Sequence, residues 1–428
     1  MNELIKNFQV KTFGCRLNFW ESEVIKDQLV KNKINENIIV FNTCSVTEEA
    51  ERKVRKSIRQ MKRNKPEAKI IVTGCAAQIN PKKWIEMPEV SFVVGNKEKT
   101  EINFWAKLLN SENNNNKKTI VSDIMKLKET SSHLLDSFNQ HTRYFLQIQN
   151  GCDHRCTFCI IPFGRGNSRS VSVEEIILNI KNAIKNNIKE IVLTGVDLTS
   201  WGKDLIKKKS LGELLKIIFN RIPDIPRLRV SSLDPAEIDF EFMDVLQNEE
   251  RLMPHLHLSV QHGDDVILKR MKRRHLFRDV INFVDEARRR RSDVVFGADF
   301  ISGFPTETNN AHKNSIKLIK EADIKYTHVF PFSSREGTPA AKMQQLPSSI
   351  IKERAKELRL LSETQTKVFF DSLIGTNQEV LVEKEDFGYT PQFARVKLKE
   401  NLEYGKIVKV EICKNNKTYL YGEKSKFK

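Results

Sequence analysis

The stretch Asn150-Gly-Cys-Asp-His-Arg-Cys-Thr-Phe-Cys159 contains three cysteines in the pattern C-x3-C-x2-C, just after the apolar run Tyr144 to Ile148. The cysteines are Cys152, Cys156 and Cys159. Thiolates this close in sequence repel one another unless a cation takes up their charge. A structural zinc site needs four ligands, and His154 is the only local candidate for a fourth. Three cysteines on a cubic iron–sulfur cluster leave one iron open. The pattern therefore favours an open-sited cluster over zinc or over three packed thiols.

Length, charge and cysteine content set broad limits on the protein. The 428 residues suggest two to four domains, and a net charge of +17 favours a polyanionic partner, with nucleic acid as the first candidate. No run of 18 apolar residues is present, and the N-terminus lacks the apolar core of a signal peptide, so we expect a cytoplasmic chain without a membrane span. Seven cysteines without an export signal argue against a disulfide framework.

A second set of cysteines occurs at the ends of three strand-like runs, Phe8 to Cys15, Ile38 to Cys44 and Lys69 to Cys75. Ser45 and Glu48 have the spacing of a capping box, which predicts a helix after the second run. Strands joined through helices are expected to be parallel, with their carboxyl ends at one edge of the sheet. Cys15, Cys44 and Cys75 should therefore meet in space and hold a second metal cluster.

The alternation of strand and helix patterns predicts an α/β chain. We expect an N-terminal open parallel α/β domain over residues 1–110, a polar linker over 111–140 and a partial (β/α)6 barrel over 141–374. A complete eight-strand barrel needs about 31 residues per unit, so six units fit and eight do not. The predicted barrel strands are 143–149, 189–195, 227–232, 255–261, 294–301 and 326–332.

The last part of the chain has a different pattern. After a charged helix predicted at about 348–371, short strand-like runs punctuated by glycine predict a small antiparallel β-barrel over residues 375–428. Such barrels often bind RNA through a basic face. The small positive charge of this segment leaves open that it is only a structural appendage.

The order of these parts resembles one family, the radical S-adenosylmethionine (SAM) methylthiotransferases. That family combines a three-cysteine N-terminal domain, a radical SAM barrel and a C-terminal TRAM domain. The motifs that support the resemblance are Asn42-Thr-Cys-Ser-Val-Thr47, Val72-Thr-Gly-Cys-Ala-Ala-Gln78, Gln149-Asn-Gly-Cys-Asp-His-Arg-Cys-Thr-Phe-Cys-Ile-Ile-Pro162, Leu193-Thr-Gly-Val-Asp197, Ser231-Ser-Leu-Asp-Pro235, Leu258-Ser-Val-Gln-His-Gly263, Leu268-Lys-Arg-Met-Lys-Arg273 and Gly297-Ala-Asp-Phe-Ile-Ser-Gly-Phe-Pro305.

The resemblance implies cofactors, chemistry and partners. It implies two [4Fe-4S] clusters, one on each cysteine trio, and SAM bound at the barrel cluster. Reductive cleavage of SAM would yield a radical that takes hydrogen from C2 of adenine 37, beside the tRNA anticodon. The N-terminal cluster would deliver sulfur, and a second SAM would supply the methyl group. The implied partners are a tRNA anticodon stem-loop and an electron donor such as flavodoxin or ferredoxin.

Three branches of the family differ in their substrate. One modifies isopentenyl-adenosine in tRNA, one threonylcarbamoyl-adenosine in tRNA, and one an aspartate of a ribosomal protein. The segment from Cys44 to Arg63, with Ala76-Ala-Gln78, is most similar to the threonylcarbamoyl-adenosine branch. The other two branches stay as alternatives, as does a non-catalytic iron–sulfur RNA-binding protein.

Residues at the ends of the predicted barrel strands are candidates for contact with SAM or substrate. Glycine at such a position would let a backbone approach the adenine closely. The candidates are Gly195, Asp197, Ser232, Gln261, Gly297 and Gly303. Gly195 and Asp197 could equally belong to an ordinary strand end and turn. His255, His257 and His262 are interpreted as packing or polar contacts. The basic runs Lys269–Arg274 and Arg288–Arg291 are interpreted as solvated helix faces or tRNA backbone contacts.

Overall fold

The computed structural model describes residues 8–34, 37–110, 118–130, 133 and 142–425. The chain divides into two compact units. The first consists of residues 1–137, 149–155 and 159–171, and the second of residues 138–148, 156–158 and 172–428. Among the helices in these ranges, none is long and apolar enough to cross a membrane.

The first unit contains a five-stranded parallel sheet in the order β1-β2-β3-β4-β5. Its strands are β1 (Phe8–Thr12), β2 (Ile38–Thr43), β3 (Lys69–Gly74), β4 (Phe92–Val94) and β5 (Lys118–Ile120). Its helices are α1 (Arg16–Lys31), α2 (Glu48–Asn64), α3 (Cys75–Ile79), α4 (Pro81–Ile85) and α5 (Phe104–Asn110). The predicted linker 111–140 thus contributes a strand to the sheet, and residues 111–117, 131–132 and 134–140 of it lie outside the described residues.

Both faces of this sheet are covered, as a parallel sheet requires. Side chains alternate along a strand, so Ile38 and Val40 of β2 pack in one core with Trp105 of α5 and residues of α1. Ile39 and Phe41 pack in the other core with residues of α2. Helix α2 is capped by the side chain of Thr47, which accepts from the backbone N–H of Ala50 at 3.2 Å. The predicted cap, Ser45, lies two residues too early.

The second unit begins with six parallel strand positions, and the expected partial (β/α)6 architecture is confirmed. Two sheets, β10-β9-β6 and β11-β12-β13-β14, share the third position, which is interrupted at Ser231. The barrel strands are β6 (Arg143–Gln147), β9 (Glu190–Thr194), β10 (Leu228–Val230), β11 (Ser232–Leu233), β12 (His255–Gln261), β13 (Val295–Ser302) and β14 (Tyr326–Pro331). Two short strands of the first unit, β7 (Gln149–Asn150) and β8 (Arg169–Ser170), follow β6 in the chain and pair with each other.

Helices follow most of these strands. They are α6 (Ile161–Arg165), which belongs to the first unit, α7 (Val173–Lys185), α8 (Leu211–Arg221), α9 (Phe240–Asn248), α10 (Asp265–Arg270), α11 (Phe277–Arg290), α12 (Asn309–Glu321) and α13 (Ser348–Ser372). Short 3-10 turns occupy Glu98–Thr100, Ile124–Lys126, Leu198–Ser200 and Pro339–Lys342. The sequence pattern of residues 264–291 predicts one helix, but the segment forms two, because the chain turns between Met271 and Leu276.

A small closed barrel completes the second unit and confirms the expected C-terminal β-barrel, with the strand order β15-β16-β17-β19-β18. Its strands are β15 (Asn377–Lys384), β16 (Phe387–Tyr389), β17 (Arg395–Leu398), β18 (Ile407–Asn415) and β19 (Leu420–Lys424). Phe393, in the loop before β17, lies under the guanidinium groups of Arg143 and Arg229 and stacks on His255. These three residues are at or next to the first residues of their strands, so the loop packs against the strand-start end of the larger barrel.

Candidate functional site

The N-terminal cysteines lie at one edge of the sheet, as the strand pattern predicts. Cys44 directly follows β2, and Cys75 directly follows β3 as the first residue of α3. Cys15 caps α1, three residues after β1. Gly14 has a φ of +112°, and a Cβ on it would lie 2.8 Å from the Cβ of Cys44. A glycine at this position therefore lets the backbone beside Cys15 approach Cys44 closely.

The surroundings of these thiols fit a cationic cofactor. Burial raises the pKa of Cys44 to about 12, and the nearby Cys75 raises it further. Burial also raises the pKa of Cys75. Cys44 and Cys75 are buried, whereas Cys15 is exposed. Closely spaced thiols, two of them buried, have no stable ionised form unless a metal centre compensates their charge. The donor set at Cys15, Cys44 and Cys75 therefore fits a cluster held by three cysteines.

A buried charge network lies beside this trio. The carboxylate of Glu21 accepts from Lys99 at 2.6 Å and from Arg165 at 2.9 Å, and all three side chains are buried. Burial alone would raise the pKa of Glu21, but these two cations hold it below its usual value. Asn18 accepts from Arg165 at 2.8 Å and donates to the backbone oxygen of Thr43, next to Cys44. The network leaves one excess positive charge near the thiols, and the sequence analysis did not identify it.

The barrel trio occupies the loop that follows β6 and β7. Cys152 and Cys159 belong to the first unit and Cys156 to the second. In the first unit, the backbone N–H of Cys152 donates to the oxygen of Gly166 at 3.1 Å. In the second unit, Cys156 is buried and its Sγ accepts a hydrogen bond from Nη1 of Arg273 at 3.5 Å. Three thiols on one short loop, one of them facing a guanidinium, fit the open-sited cluster that the spacing predicts.

Arg273 is held in place by two further contacts. Its Nη2 donates to Asp234 at 2.8 Å and to the backbone oxygen of Ser259 at 2.7 Å. Burial would raise the pKa of Asp234, but His275 and Arg273 keep it well below its usual value. Asp234 and Arg273 thus form a buried chain of polar contacts that ends at Cys156, a predicted cluster ligand. Arg273 was visible in the sequence only as part of a basic run. The motifs Ser231–Pro235 and Leu268–Arg273 contain Asp234 and Arg273, but nothing in them indicates that the two side chains meet.

The predicted SAM-contact residues lie at different positions along the barrel strands. Gly195 and Asp197 follow β9, Ser232 begins β11, and Gln261 ends β12 with a φ of +72°. Asp197 is buried and accepts from the hydroxyls of Thr199 and Ser200. As SAM contacts these residues stay predictions, since no described contact tests them.

Of the two glycines expected at the end of the fifth barrel strand, only Gly303 lies there. Gly297 lies near the start of the strand rather than at its end, and a Cβ there would meet Nδ1 of His257 at 2.7 Å. Gly303 follows β13 with a φ of +76°, and its Cβ would meet the side chain of Ile351 at 2.6 Å. Their small size thus accommodates neighbouring side chains of the protein itself, and a close approach of adenine to them stays a prediction.

A histidine–aspartate cluster lies on β12, β13 and β14. Oδ1 of Asp299 accepts from Nε2 of His257 at 2.9 Å and from Nδ1 of His328 at 3.3 Å. Burial would raise the pKa of Asp299, but the two histidines hold it well below its usual value. The sequence analysis interpreted His257 as a packing or polar contact and did not single out Asp299 or His328. Their positions on adjacent strands could have been inferred only from the register.

Comparison with known proteins first defines the class. The model of the Radical SAM superfamily matches residues 146–319, and that of Uncharacterized protein family UPF0004 matches residues 7–95. Among solved structures, the radical S-adenosylmethionine methyltransferase TsrM from Kitasatospora setae shares the fold, with a TM-score of 0.56, 15% identity, and coverage of 78% of this chain and 76% of that one.

Curated relatives define the family more narrowly. The threonylcarbamoyladenosine tRNA methylthiotransferase of Rickettsia prowazekii (strain Madrid E) is 47% identical over 96% of each chain. The enzyme of the same name from Aquifex aeolicus (strain VF5) is 35% identical over 94% of this chain and 99% of its own. The tRNA-2-methylthio-N(6)-dimethylallyladenosine synthase of Ehrlichia canis (strain Jake) is 32% identical over 88% of each. This chain belongs to the radical SAM methylthiotransferase family.

Proposed function

We propose that this chain adds a methylthio group to C2 of N6-threonylcarbamoyladenosine 37 in tRNA. The strongest support for the proposal is that this chain contains both cysteine trios and is similar, over 96% of its length, to a relative named for this activity. A bound [4Fe-4S] cluster and SAM would supply the 5′-deoxyadenosyl radical needed to break an unactivated C–H bond of an aromatic base. The sister activity on isopentenyl-adenosine is favoured less, because the relatives named for it are less similar.

The chain's own residues have separate tasks in this scheme. Cys152, Cys156 and Cys159 hold the cluster at which SAM is bound, and Arg273 fixes the thiolate of Cys156. Cys15, Cys44 and Cys75 hold the cluster that serves sulfur delivery. A net charge of +17 favours binding of the tRNA backbone. Because tRNA is the substrate, we expect the enzyme in the cytoplasm, with a low-potential donor such as flavodoxin or ferredoxin.

The decisive experiment is mass spectrometry of tRNA nucleosides from cells with and without this chain. Deletion should remove the methylthio form of threonylcarbamoyladenosine and leave methylthio-isopentenyladenosine unchanged. Complementation with the intact chain should restore the nucleoside, and complementation with the Cys152→Ala/Cys156→Ala/Cys159→Ala variant should not. A loss confined to the isopentenyl nucleoside would assign the sister activity. A methylthio group lost only from ribosomal protein would refute a tRNA substrate.

A further inference from the structure

The last three strands of the larger barrel turn two chemically different faces to their surroundings. Leu258, Ala298 and Phe300 on one face are fully buried. The opposite face alternates with them and contains the polar positions. We give the name β12–β14 wall to six residues of this second face, which also includes Tyr326 and Ile301. The six are His255, His257, Gly297, Asp299, His328 and Phe330.

The wall becomes more accessible from the strand starts toward the strand ends. His255 is 4% exposed, where Phe393 packs against it. The side chain of His257 is 11% exposed and that of His328 is 64% exposed. Phe330, two residues further along β14 on the same face, is 37% exposed. Phe330 is thus an accessible aromatic side chain beside the polar cluster of His257, Asp299 and His328. A ligand with both apolar and polar parts would cover such a surface.

Asp299 orients the histidine that is most accessible. Nδ1 of His328 faces Oδ1 of Asp299, and the same oxygen is held from the other side by Nε2 of His257. The tautomer and orientation of a histidine are fixed by the hydrogen bond of one ring nitrogen, which leaves the other nitrogen for a ligand. Gly297 provides the space for this arrangement, because a Cβ there would collide with His257. His328 therefore presents Nε2 as a positioned hydrogen-bonding group.

We infer that the β12–β14 wall binds the modified nucleoside, with Phe330 stacked on the adenine and Nε2 of His328 accepting a hydrogen bond from the threonine hydroxyl of its substituent. This inference rests on the proposed function. Proteins that recognise unstacked RNA bases place them on aromatic side chains. The threonine carries a carboxylate and a hydroxyl, whereas an isopentenyl group is apolar. A site built to hydrogen-bond a polar group discriminates strongly against an analogue that lacks it.

A divalent cation is the competing occupant of the same cluster. Two imidazoles and a carboxylate are a known ligand set, and the three candidate ligand atoms lie within 4.8 Å of one another. A metal would account for His257, Asp299 and His328 but not for the exposed Phe330. The nucleoside accounts for all four residues, and a measurement of bound metal distinguishes the two occupants.

The test measures the affinity of anaerobically reconstituted holoenzyme for two anticodon stem-loops, one with threonylcarbamoyladenosine and one with plain adenosine at position 37. The His328→Leu variant should weaken binding of the modified RNA about tenfold, the size of one lost hydrogen bond, and leave the plain RNA unchanged. His328→Gln, which keeps an acceptor, should recover part of the loss. Phe330→Leu should weaken both RNAs by a similar factor of roughly ten, because both contain the adenine.

Val329→Ala is the matched control, because this residue lies on the same strand and points to the opposite face; it should change neither affinity. The inference is overturned if His328→Leu weakens both RNAs equally, or if the wild type binds both equally even while it modifies the threonylcarbamoyl form. A stoichiometric divalent metal that is lost in Asp299→Asn would overturn it in favour of a metal site. A wild type that neither prefers nor modifies the threonylcarbamoyl RNA would refute the proposed function and this inference with it.

Discussion

At the scale of single residues, we expect Arg273 to tune the reduction potential of the barrel cluster, because it donates a hydrogen bond to Sγ of Cys156. A hydrogen bond from a cation to a ligating sulfur stabilises the more negative, reduced cluster and so raises its reduction potential. Arg273→Met should therefore lower the midpoint potential of the barrel cluster, and Arg273→Lys should lower it less. A redox titration followed by electron paramagnetic resonance, without SAM or RNA, measures this directly.

Arg274 provides the matched control for that prediction, because it is the next residue and pairs with Glu237 instead. Arg274→Gln should leave the potential unchanged. If Arg273→Met left the potential unchanged and weakened only SAM binding, Arg273 would be a SAM ligand rather than a residue that tunes the cluster.

The same pair of residues shows what sequence can and cannot reveal. The cysteines of the barrel trio could be assigned from spacing alone, because ligands on one short loop remain neighbours in any fold. Arg273 and Asp234 lie 39 positions apart and meet only because β11 and β12 are adjacent. A basic run was visible, but the side chain that turns inward depends on the path of the turn after α10. Asp299 and His328 were missed for the same reason, whereas the polar contact expected of His257 is the one it makes with Asp299.

At the scale of elements, the C-terminal barrel has an aromatic and basic surface suited to RNA. Arg395 and Lys397 of β17 lie over the ring of Phe387, and Phe387 contacts Tyr419. Lys414 lies over Tyr421. The rings of Phe387, Tyr419 and Tyr421 are partly exposed. Accessible aromatic rings with cations between them can bind both the bases and the backbone of a nucleic acid.

The double variant Arg395→Ala/Lys397→Ala should weaken tRNA binding and reduce the slope of log affinity against log salt by up to about two, since each phosphate contact releases a counterion. Binding measured over a series of salt concentrations gives that slope. Lys406→Ala, which removes an exposed cation outside this surface, is the control and should change the slope less. An unchanged slope in the double variant would leave the small barrel with a structural role.

Long elements with a strong pattern were predicted well, whereas short ones were not. The barrel strands β6, β9, β12, β13 and β14, of five to eight residues, and α13 are long enough for their pattern to appear in the sequence. Strand β5 has only three residues and pairs with β4 through its backbone, which no side-chain pattern records. Helix α9 is also short, and Asp239 caps it by accepting from the backbone N–H of Phe242 at 2.8 Å.

At the scale of the whole molecule, the two cysteine trios are supported by different parts of the chain, the sheet β1–β3 and the loop after β6 and β7. We therefore expect two clusters that can be removed separately. Reconstituted protein should approach eight irons, about four per cluster. Replacing Cys152, Cys156 and Cys159 with alanine should leave about half the iron and abolish SAM cleavage. Replacing Cys15, Cys44 and Cys75 should also leave about half, but cleavage to 5′-deoxyadenosine should persist while methylthiolation is lost. Full iron content in either variant, or normal methylthiolation by the second, would show that the trios do not hold separate clusters with separate tasks.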